Sequence, residues 1–304
     1  MPYSAAEDEP LLLGRLVLLS SARPRATLAA GVPFYGARGV AREAEPMATE
    51  YVVSDDGARI AFDVAGSGPA VVLLAGHTEP RSRWHEAGYV ERLRGDFTAI
   101  AMDPRGQGES DEQPEPAAYA VERVLGDVLR VVDACGQQRF AVWGYSFGAT
   151  IALRLAARAE RVRCAVAGGS PFGHPYPLDL AARSSAQALA VHEAKLAGRL
   201  DELPITAEQR ATARRLNIPA HIACLRALPS WPAVEPGDLR CPTLIYAGAL
   251  DAAVVEPMAA YDADALASAG VRYAVLDGLD HAGEFSATEA VLPLVLPFLR
   301  AWAR

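Results

Sequence analysis

The chain has 304 residues, of which 51% are hydrophobic and 22% are charged, the balance of a globular protein with a full-sized core. Its net charge of −8 and isoelectric point near 5.3 argue against nucleic acids and anionic membranes as partners, because both bind basic surfaces. No apolar stretch reaches the roughly 18 residues that a transmembrane helix needs. We therefore predict one main domain with an insertion, in a cytoplasmic protein that binds a small-molecule substrate as a monomer or homodimer.

The four cysteines give no sign of a disulfide framework or a zinc site. They are scattered without C-x-x-C spacing and lie mostly in apolar surroundings, at Cys135, Cys164, Cys224 and Cys241. This distribution predicts reduced, buried thiols in a reducing compartment, with no metal bound.

Residues 1–46 differ in character from the rest of the chain. They mix acidic and basic residues, Pro and Gly with one apolar patch at residues 11–19, which Arg15 interrupts. A secretory signal would need a basic segment before an uncharged one, whereas residues 7–9 are acidic. We predict a poorly ordered extension rather than a signal peptide, with Met47 as an alternative start. Removal of residues 1–46 is then expected to leave activity intact.

After this extension, strand and helix patterns alternate along the chain. Residues 51–54 and 59–64 flank a turn and predict a β-hairpin. Further strands are predicted at residues 70–75, 97–102, 140–143, 162–167, 244–247 and 272–276, and helices at residues 84–93, 119–134, 150–157, 255–269 and 288–302. Such alternation predicts a parallel sheet with helices on both faces, whose sites lie at the carboxyl ends of the strands.

One region breaks this alternation. After the glycines at 168 and 169, helical patterns at residues 178–200 and 207–225 follow without a strand, the second interrupted near Pro219. We predict a helical cap over the carboxyl edge of the sheet. The predicted division of the chain is an extension at 1–46, a core at 47–169 and 240–304, and a cap at 170–239.

The sharpest local motif surrounds Ser146. An apolar strand pattern precedes it, a helical pattern follows, and Gly144 and Gly148 lie two residues to either side. The spacing G-x-S-x-G is that of a nucleophile elbow, a strand-to-helix corner where a Cβ at either glycine would collide with its neighbours. The alternative is a glycine-rich turn with an ordinary serine. The strand-motif-helix context favours Ser146 as a nucleophile.

A nucleophilic serine needs a base within hydrogen-bond reach, and the sequence contains six histidines. His174, His192 and His221 fall in the predicted cap, and His85 begins a helix. His281 follows the last predicted strand, in a polar loop ahead of the closing helix. We predict His281 as the base, the alternative being an ordinary surface histidine.

The base in turn needs a carboxylate to orient it. Asp251 lies just past the strand at 244–247, in a glycine-rich turn. Asp277 and Asp280 compete, but their closeness to His281 in sequence favours a role in the loop. The turn after the sixth strand, residues 168–170, contains no carboxylate. Asp251 is therefore the predicted acid.

The order Ser146, Asp251, His281, together with the elbow, the loop at 103–110 and the segment at 242–251, resembles the alpha/beta hydrolase superfamily. The resemblance extends from residue 51 to the end and rests on four motifs in the correct order. It implies an α/β fold with an eight-stranded, mostly parallel sheet, a helical cap between strands 6 and 7, and acyl transfer through a serine ester. No cofactor is expected.

The resemblance also implies an oxyanion hole built from the backbone N–H groups of Phe147 and His77. The sequence departs from the common pattern, because Ala75 and Gly76 stand where a His-Gly pair usually ends the third strand. For the His77 imidazole we favour a side chain that points away over one that contacts substrate. Further pocket candidates are Glu79, Trp84, Tyr145, Phe172 and Trp231. Asp103, Arg105 and Gly106 are expected to hold the loop after strand 4.

The predicted function is that of a serine carboxylic ester hydrolase, which cleaves an ester, lactone or thioester through an acyl-enzyme. Aromatic residues in the cap suggest a small to medium, largely apolar substrate. The same fold and triad also serve C–C bond hydrolysis and cofactor-free perhydrolase or lyase chemistry, and some ligand-binding receptors retain them without turnover.

Overall fold

A computed structural model of the protein describes residues 48–174 and 178–303. The predicted extension at 1–46 and the alternative start at Met47 lie outside the described residues, so both stay predictions.

Eight strands form one sheet in the described part of the chain. They are β1 (Glu50–Val53), β2 (Arg59–Gly66), β3 (Ala70–Leu74), β4 (Thr98–Met102), β5 (Phe140–Tyr145), β6 (Val162–Gly168), β7 (Thr243–Gly248) and β8 (Val271–Leu276). Their order across the sheet is β1-β2-β4-β3-β5-β6-β7-β8. The pairs β1–β2 and β2–β4 are antiparallel, and the other neighbours are parallel. The predicted eight-stranded, mostly parallel sheet is confirmed.

Both faces of the sheet are covered, which explains the continuous apolar patterns. In β3, Val72 and Leu74 belong to a cluster on one face, and Val71 and Leu73 to a cluster on the other. All four are inaccessible to solvent. A strand buried on both faces needs apolar residues at every position rather than at alternate ones.

Helices cover the sheet and fill the segment between β6 and β7. The helices outside that segment are α1 (Ser82–Glu86), α2 (Tyr89–Leu93), α3 (Val121–Ala134), α4 (Phe147–Arg158), α8 (Ala252–Met258), α9 (Ala263–Ser268), α10 (His281–Ser286) and α11 (Thr288–Trp302), and those within it are α5 (Leu178–Leu196), α6 (Ala207–Arg215) and α7 (Ile218–Ala227). Short 3₁₀ turns occur at Pro116–Tyr119, Leu200–Glu202, Leu228–Ser230 and Pro236–Asp238. Helices α3, α4 and α7 contribute to one core cluster, and α1, α2 and α11 to the other.

Three predicted elements differ from the structure, and a fourth agrees with it. The helix expected at 84–93 is two short helices, because Gly88 between them has a φ of 79°. The helix expected at 255–269 is also two, since the Asp262 side chain starts a new helix by accepting hydrogen bonds from the amides of residues 264 and 265. The interruption expected near Pro219 is confirmed, because α6 ends at Arg215 and α7 begins at Ile218, with Pro219 in its first turn, where the missing N–H does no harm. His281 begins α10 instead of lying in a loop.

The helical insertion between β6 and β7 is seated on the core through α7. Ala223, Cys224 and Ala227 pack into the same cluster as the sheet residues beneath them. A separate small cluster joins α5, α6 and α7 to one another. The segment boundaries 170 and 239 stay predictions.

Two further expectations concern thiols and membranes. Cys164 and Cys224 are buried as predicted, whereas Cys135 and Cys241 are partly exposed, and all four are free thiols. Among the helices of residues 48–174 and 178–303, none has the length and hydropathy to cross a bilayer.

Candidate active site

Ser146 occupies the corner between β5 and α4, at the carboxyl edge of the sheet. Its backbone has φ 53° and ψ −114°, a region that residues with a Cβ rarely adopt. A Cβ at Gly144 would overlap the carbonyl of Gly148, and one at Gly148 would overlap the carbonyl of Leu74. The chain can therefore make this corner only with glycine at both positions, which leaves the serine at the apex.

Three elements that are distant in sequence bring the predicted triad together. The Oγ atom of Ser146 lies 3.0 Å from Nε2 of His281, and Nδ1 of the same ring lies 2.6 Å from Oδ2 of Asp251. Asp251 follows β7 and is buried, and His281 follows β8 at the start of α10. An ionised Asp251 only accepts hydrogen bonds, so Nδ1 carries the proton and the lone pair of Nε2 faces the serine hydroxyl.

Two opposing influences act on the pKa of His281. Burial lowers the pKa, but the hydrogen bond and negative charge of Asp251 raise it, and Glu284 and Glu79 add to that increase. The net effect is a pKa above the ordinary value of histidine. The imidazole is therefore a stronger base than a free one, and its protonated form is stabilised next to the serine.

The two predicted oxyanion donors are the backbone amides of Phe147 and His77. Phe147 begins α4, whose first-turn amides have no intrahelical acceptor and whose dipole favours negative charge. His77 lies in the loop after β3, beside Thr78, which adopts a left-handed φ of 68°. Within the described ranges, neither amide donates a hydrogen bond to another residue. Their role in an oxyanion hole stays a prediction.

The His77 imidazole faces the helical insertion, which differs from the favoured expectation that it points away. Its Nε2 lies 3.3 Å from Nδ1 of His221 on α7, and its ring centroid lies 5.0 Å from that of Phe147. Burial lowers the pKa of both histidines, that of His221 to about 4, so both rings are neutral near pH 7. The physical reason for the difference is the packing of α7, which supplies a hydrogen-bond partner above the loop.

A small cavity lies beside this histidine pair, with room for about one water molecule. Its lining includes His77, His221 and Gln107. Both polar atoms of the buried Gln107 amide, and Nε2 of His221, have no hydrogen-bond partner in the described part of the chain. Burying such groups unpaired is costly, so a polar partner from outside the chain is expected there.

Three of the five pocket candidates are core residues. Trp84 is fully buried against Tyr89, Trp143 and Phe285, with ring centroids 5.1 to 5.3 Å apart. Trp231 is also fully buried, and its Nε1 donates to the carbonyl of Tyr119. Phe172 is buried against the ring of Tyr261. Large apolar side chains gain most by complete burial. Trp84 and Trp231 leave no surface for a substrate, and Phe172 leaves only 4% of its surface exposed.

The other two candidates, Tyr145 and Glu79, lie beside His281. The Tyr145 hydroxyl donates to the backbone carbonyl of His281, and the two ring centroids are 5.2 Å apart. Glu79 is buried next to Gly76, with Oε2 unpartnered among the described residues. Burial raises the pKa of this carboxyl group, and the nearby Arg83 and His281 oppose the shift.

Sequence reasoning missed Glu284, which lies one helical turn after His281. Its side chain is fully buried, Oε2 accepts a hydrogen bond from the amide of Gly248, and Oε1 lies 3.8 Å from Nδ1 of His281. Burial raises the pKa of Glu284 to about 8. The i, i+3 spacing to His281 would have pointed to this residue, but the assignment of His281 to a loop concealed it.

One cluster in the described part of the chain has the spacing to hold a metal ion. It consists of Asp251, His281 and Glu284, whose donor atoms lie within 4.8 Å of one another. Both imidazole nitrogens are already hydrogen-bonded, to Asp251 and to Ser146. Coordination by His281 would require one of these bonds to break.

The loop after β4 is held by buried ion pairs. Arg105 contacts Asp127 at 2.6 Å and Asp56 at 2.8 Å, and Arg81 contacts Asp103 and Asp63. Asp103 and Arg105 are thus paired with other charged residues that hold this loop, in agreement with the structural role expected for them.

The sequence matches the model of the alpha/beta hydrolase fold family over residues 69–283. The chain belongs to this family. Epoxide hydrolase 2 of Siraitia grosvenorii is 31% identical over 116 residues, 38% of this chain and 36% of that protein. Epoxide hydrolase B of Mycobacterium tuberculosis is 32% identical over 127 residues, 37% of this chain and 35% of that protein.

The match thus spans about a third of the length of these curated relatives. Among solved structures, the enol-lactonase from Burkholderia xenovorans has a TM-score of 0.66 at 23% identity, covering 83% of this chain and 100% of that chain. At this level of identity the likeness concerns the fold.

Proposed function

We propose that this alpha/beta hydrolase is a serine hydrolase that cleaves an ester, lactone or thioester through an acyl-enzyme. The observation that carries the proposal is the continuous chain of hydrogen bonds from Ser146 through His281 to Asp251, at 3.0 and 2.6 Å. It starts at a serine on a strained corner, beside two backbone amides without partners in the described ranges. This is the constellation that nucleophilic acyl transfer requires.

The residues act in a fixed sequence. His281 takes the Ser146 proton through Nε2 as Oγ attacks the carbonyl carbon, and Asp251 holds the resulting imidazolium. The amides of Phe147 and His77 stabilise the oxyanion. His281 then donates its proton to the leaving group. Water, deprotonated by the same imidazole, attacks the acyl-enzyme, and expulsion of Ser146 releases the acid.

The curated relatives are named epoxide hydrolases, but a serine nucleophile is not suited to the opening of epoxides. A serine alkoxide that opened an epoxide would form an ether, which water does not cleave under mild conditions, so the nucleophile would not be regenerated. Attack on a carbonyl instead gives an ester that the same machinery can hydrolyse. We therefore assign acyl rather than epoxide substrates to this chain.

The substrate is proposed to be small to medium and to carry a neutral polar group. The apolar preference was expected from Phe172, Pro175, Tyr176 and Trp231. Phe172 and Trp231 are core residues and no longer support it, and Pro175 and Tyr176 lie outside the described residues. The unpartnered atoms of Gln107 and His221 favour a hydroxyl or oxo group instead. The nearby Arg105 is committed to Asp127 and Asp56, so no free cation among the described residues lines this cavity to favour a carboxylate.

The experiment combines a fluorophosphonate probe with a panel of p-nitrophenyl esters, lactones and thioesters. We expect the probe to label Ser146 and at least one acyl class to be turned over. An unlabelled Ser146 would contradict the nucleophile. Labelling without turnover of any acyl substrate would favour the alternatives, C–C bond hydrolysis, perhydrolase or lyase chemistry, or a receptor that ligand stabilises against heat.

A further inference from the structure

A second carboxyl group lies at the same imidazole nitrogen as the predicted acid. Oδ2 of Asp251 is 2.6 Å from Nδ1 of His281, and Oε1 of Glu284 is 3.8 Å from it. The two acids approach from different elements, Asp251 from the turn after β7 and Glu284 from the first turn of α10.

Nothing in the packing around Glu284 requires a carboxyl group. Its side chain is 0% exposed, and Oε1 has no hydrogen-bond partner among the residues that the structure describes. Its structural contact is the hydrogen bond that Oε2 accepts from the amide of Gly248. A glutamine of the same shape would accept that bond without the penalty of burying an ionisable group.

The space that Glu284 fills is left open by a glycine. Gly169, in the turn after β6, has a φ of 67°, and a Cβ there would overlap Oε1 of Glu284 and lie 3.0 Å from Cε1 of His281. The turn after β6 contains no carboxylate of its own. Glu284 thus brings a carboxyl group from α10 to the space beside this turn.

We infer that Glu284 is a second positioning acid for His281, poised to take over the hydrogen bond at Nδ1 when Asp251 does not make it. The inference rests on the proposed role of Ser146 and His281 as nucleophile and base. Burial above all, and the nearby Asp251 in addition, disfavour a charge on Glu284, so this carboxyl group keeps its proton while Asp251 makes the hydrogen bond to Nδ1. The buried pKa of about 8 agrees with that division.

Removal of Asp251 changes the division of charge. One influence that raises the pKa of Glu284 is then gone, whereas burial, the largest one, remains. As Glu284 loses its proton to solvent with rising pH, its carboxylate can accept the Nδ1–H bond once Oε1 closes the 3.8 Å separation by about 1 Å to hydrogen-bond distance. The titratable groups that influence Glu284 are His281, Asp251 and Asp280. Four tyrosines also interact electrostatically with Glu284, and the pKa of each is raised above its ordinary value. They are Tyr145, Tyr89, Tyr246 and Tyr273.

The test is a double-mutant cycle with Asp251→Ala, Glu284→Gln and the combined variant, measured as the rate of fluorophosphonate labelling of Ser146 and as kcat/KM for an ester. In subtilisin, loss of the triad acid alone costs about 3 × 10⁴ in kcat. We expect Asp251→Ala to lower kcat/KM by only about 10² to 10³. The loss in kcat/KM of the combined variant should be at least tenfold larger than the product of the two single losses. Glu289→Gln on the exposed face of α11 is the matched control.

The pH profile separates positioning from a structural role. In every variant labelling should rise with pH as His281 loses its proton. In Asp251→Ala a second rise should follow as Glu284 ionises, and this second rise should be absent from the combined variant. Single losses that simply multiply, or a second rise that persists without Glu284, would overturn the inference. Asp251→Asn replaces the alanine variant if thermal unfolding shows that the latter does not fold.

Failure of the proposed function is distinguishable from failure of the inference. A wild-type protein whose Ser146 is not labelled overturns both. If Ser146 is labelled but the losses of the two single variants simply multiply, only the role of Glu284 is overturned. Labelling with the expected coupling, but without turnover of any ester, supports Glu284 and contradicts the assigned substrate class.

Discussion

The two sides of the candidate site differ in how their polar atoms are satisfied. On the sheet side, Ser146, His281 and Asp251 bond to one another within 3.0 Å. On the side of α7, Gln107 and Nε2 of His221 are buried without partners in the described ranges. The difference indicates that the core preorganises the chemical step, whereas the surface under the insertion is completed by a ligand or water.

Replacement of Ser146 by alanine breaks the sheet side and should have the largest effect. Without the hydroxyl no acyl-enzyme forms, and the loss in kcat should approach the roughly 10⁶ seen for nucleophile removal in subtilisin. Ester turnover under saturating substrate measures it. Ser67→Ala in the exposed turn between β2 and β3 is the matched control. Activity of Ser146→Ala within tenfold of wild type would contradict the mechanism.

Gln107→Met tests the other side, because methionine keeps the size of the side chain and removes its hydrogen bonds. We expect wild type to prefer p-nitrophenyl 4-oxopentanoate to p-nitrophenyl pentanoate. One hydrogen bond contributes about 0.5–1.5 kcal/mol, so the variant should lose roughly three- to tenfold of this preference. Gln138→Met, at an exposed position, should leave it unchanged. An identical kcat/KM ratio in Gln107→Met would show that the cavity holds only water.

The pH profile of kcat/KM probes the contact between the base and its acid. His281 must be neutral to accept the serine proton, and its pKa is raised because Asp251 outweighs burial. The acid limb should therefore have its midpoint above the ordinary histidine value of about 6.5. In Asp251→Asn the midpoint should move to lower pH. A wild-type midpoint below 6 would mean that desolvation dominates instead.

The smallest expected effect is on stability. The pKa of Glu284 is raised to about 8 in the folded protein, so its contribution is fully present below the unfolded pKa of about 4.5 and is lost as pH rises toward 8. A glutamine does not ionise, so the Glu284→Gln variant does not lose this contribution to stability as pH rises. Its Tm relative to wild type should therefore increase between pH 5 and pH 8, with Glu289→Gln as the control. A Tm difference that does not change with pH would show that Glu284 is already ionised when folded.

The residues of the sheet side could be proposed from the sequence because their signals are local. The elbow needs glycine at two positions around Ser146, and the ends of β7 and β8 mark the segments in which Asp251 and His281 follow. The pocket residues were harder to predict, since Trp84 and Trp231 are aromatic in either role. Whether an aromatic side chain faces the core or a ligand depends on what packs above it.

Helix boundaries account for the residues that sequence reasoning missed. The start of α10 at His281 depends on the Asp280 side chain, which accepts a hydrogen bond from the amide of Gly283. That helix turn places Glu284 beneath the imidazole, and a loop would not. Likewise, the pairing of His221 with His77 crosses 144 residues of sequence, so no local pattern could contain it.

By itself, the sequence of this protein determined the α/β architecture, the corner at Ser146 and the order of the three triad residues, because each depends on near-neighbour sterics or on strand periodicity. Only the tertiary structure decided what surrounds the triad. Long-range packing sets the complete burial of Glu284 and leaves the Gln107 side-chain amide and Nε2 of His221 without partners among the described residues. Burial and charge at those positions depend on which distant elements meet, and that is a property of the folded chain as a whole.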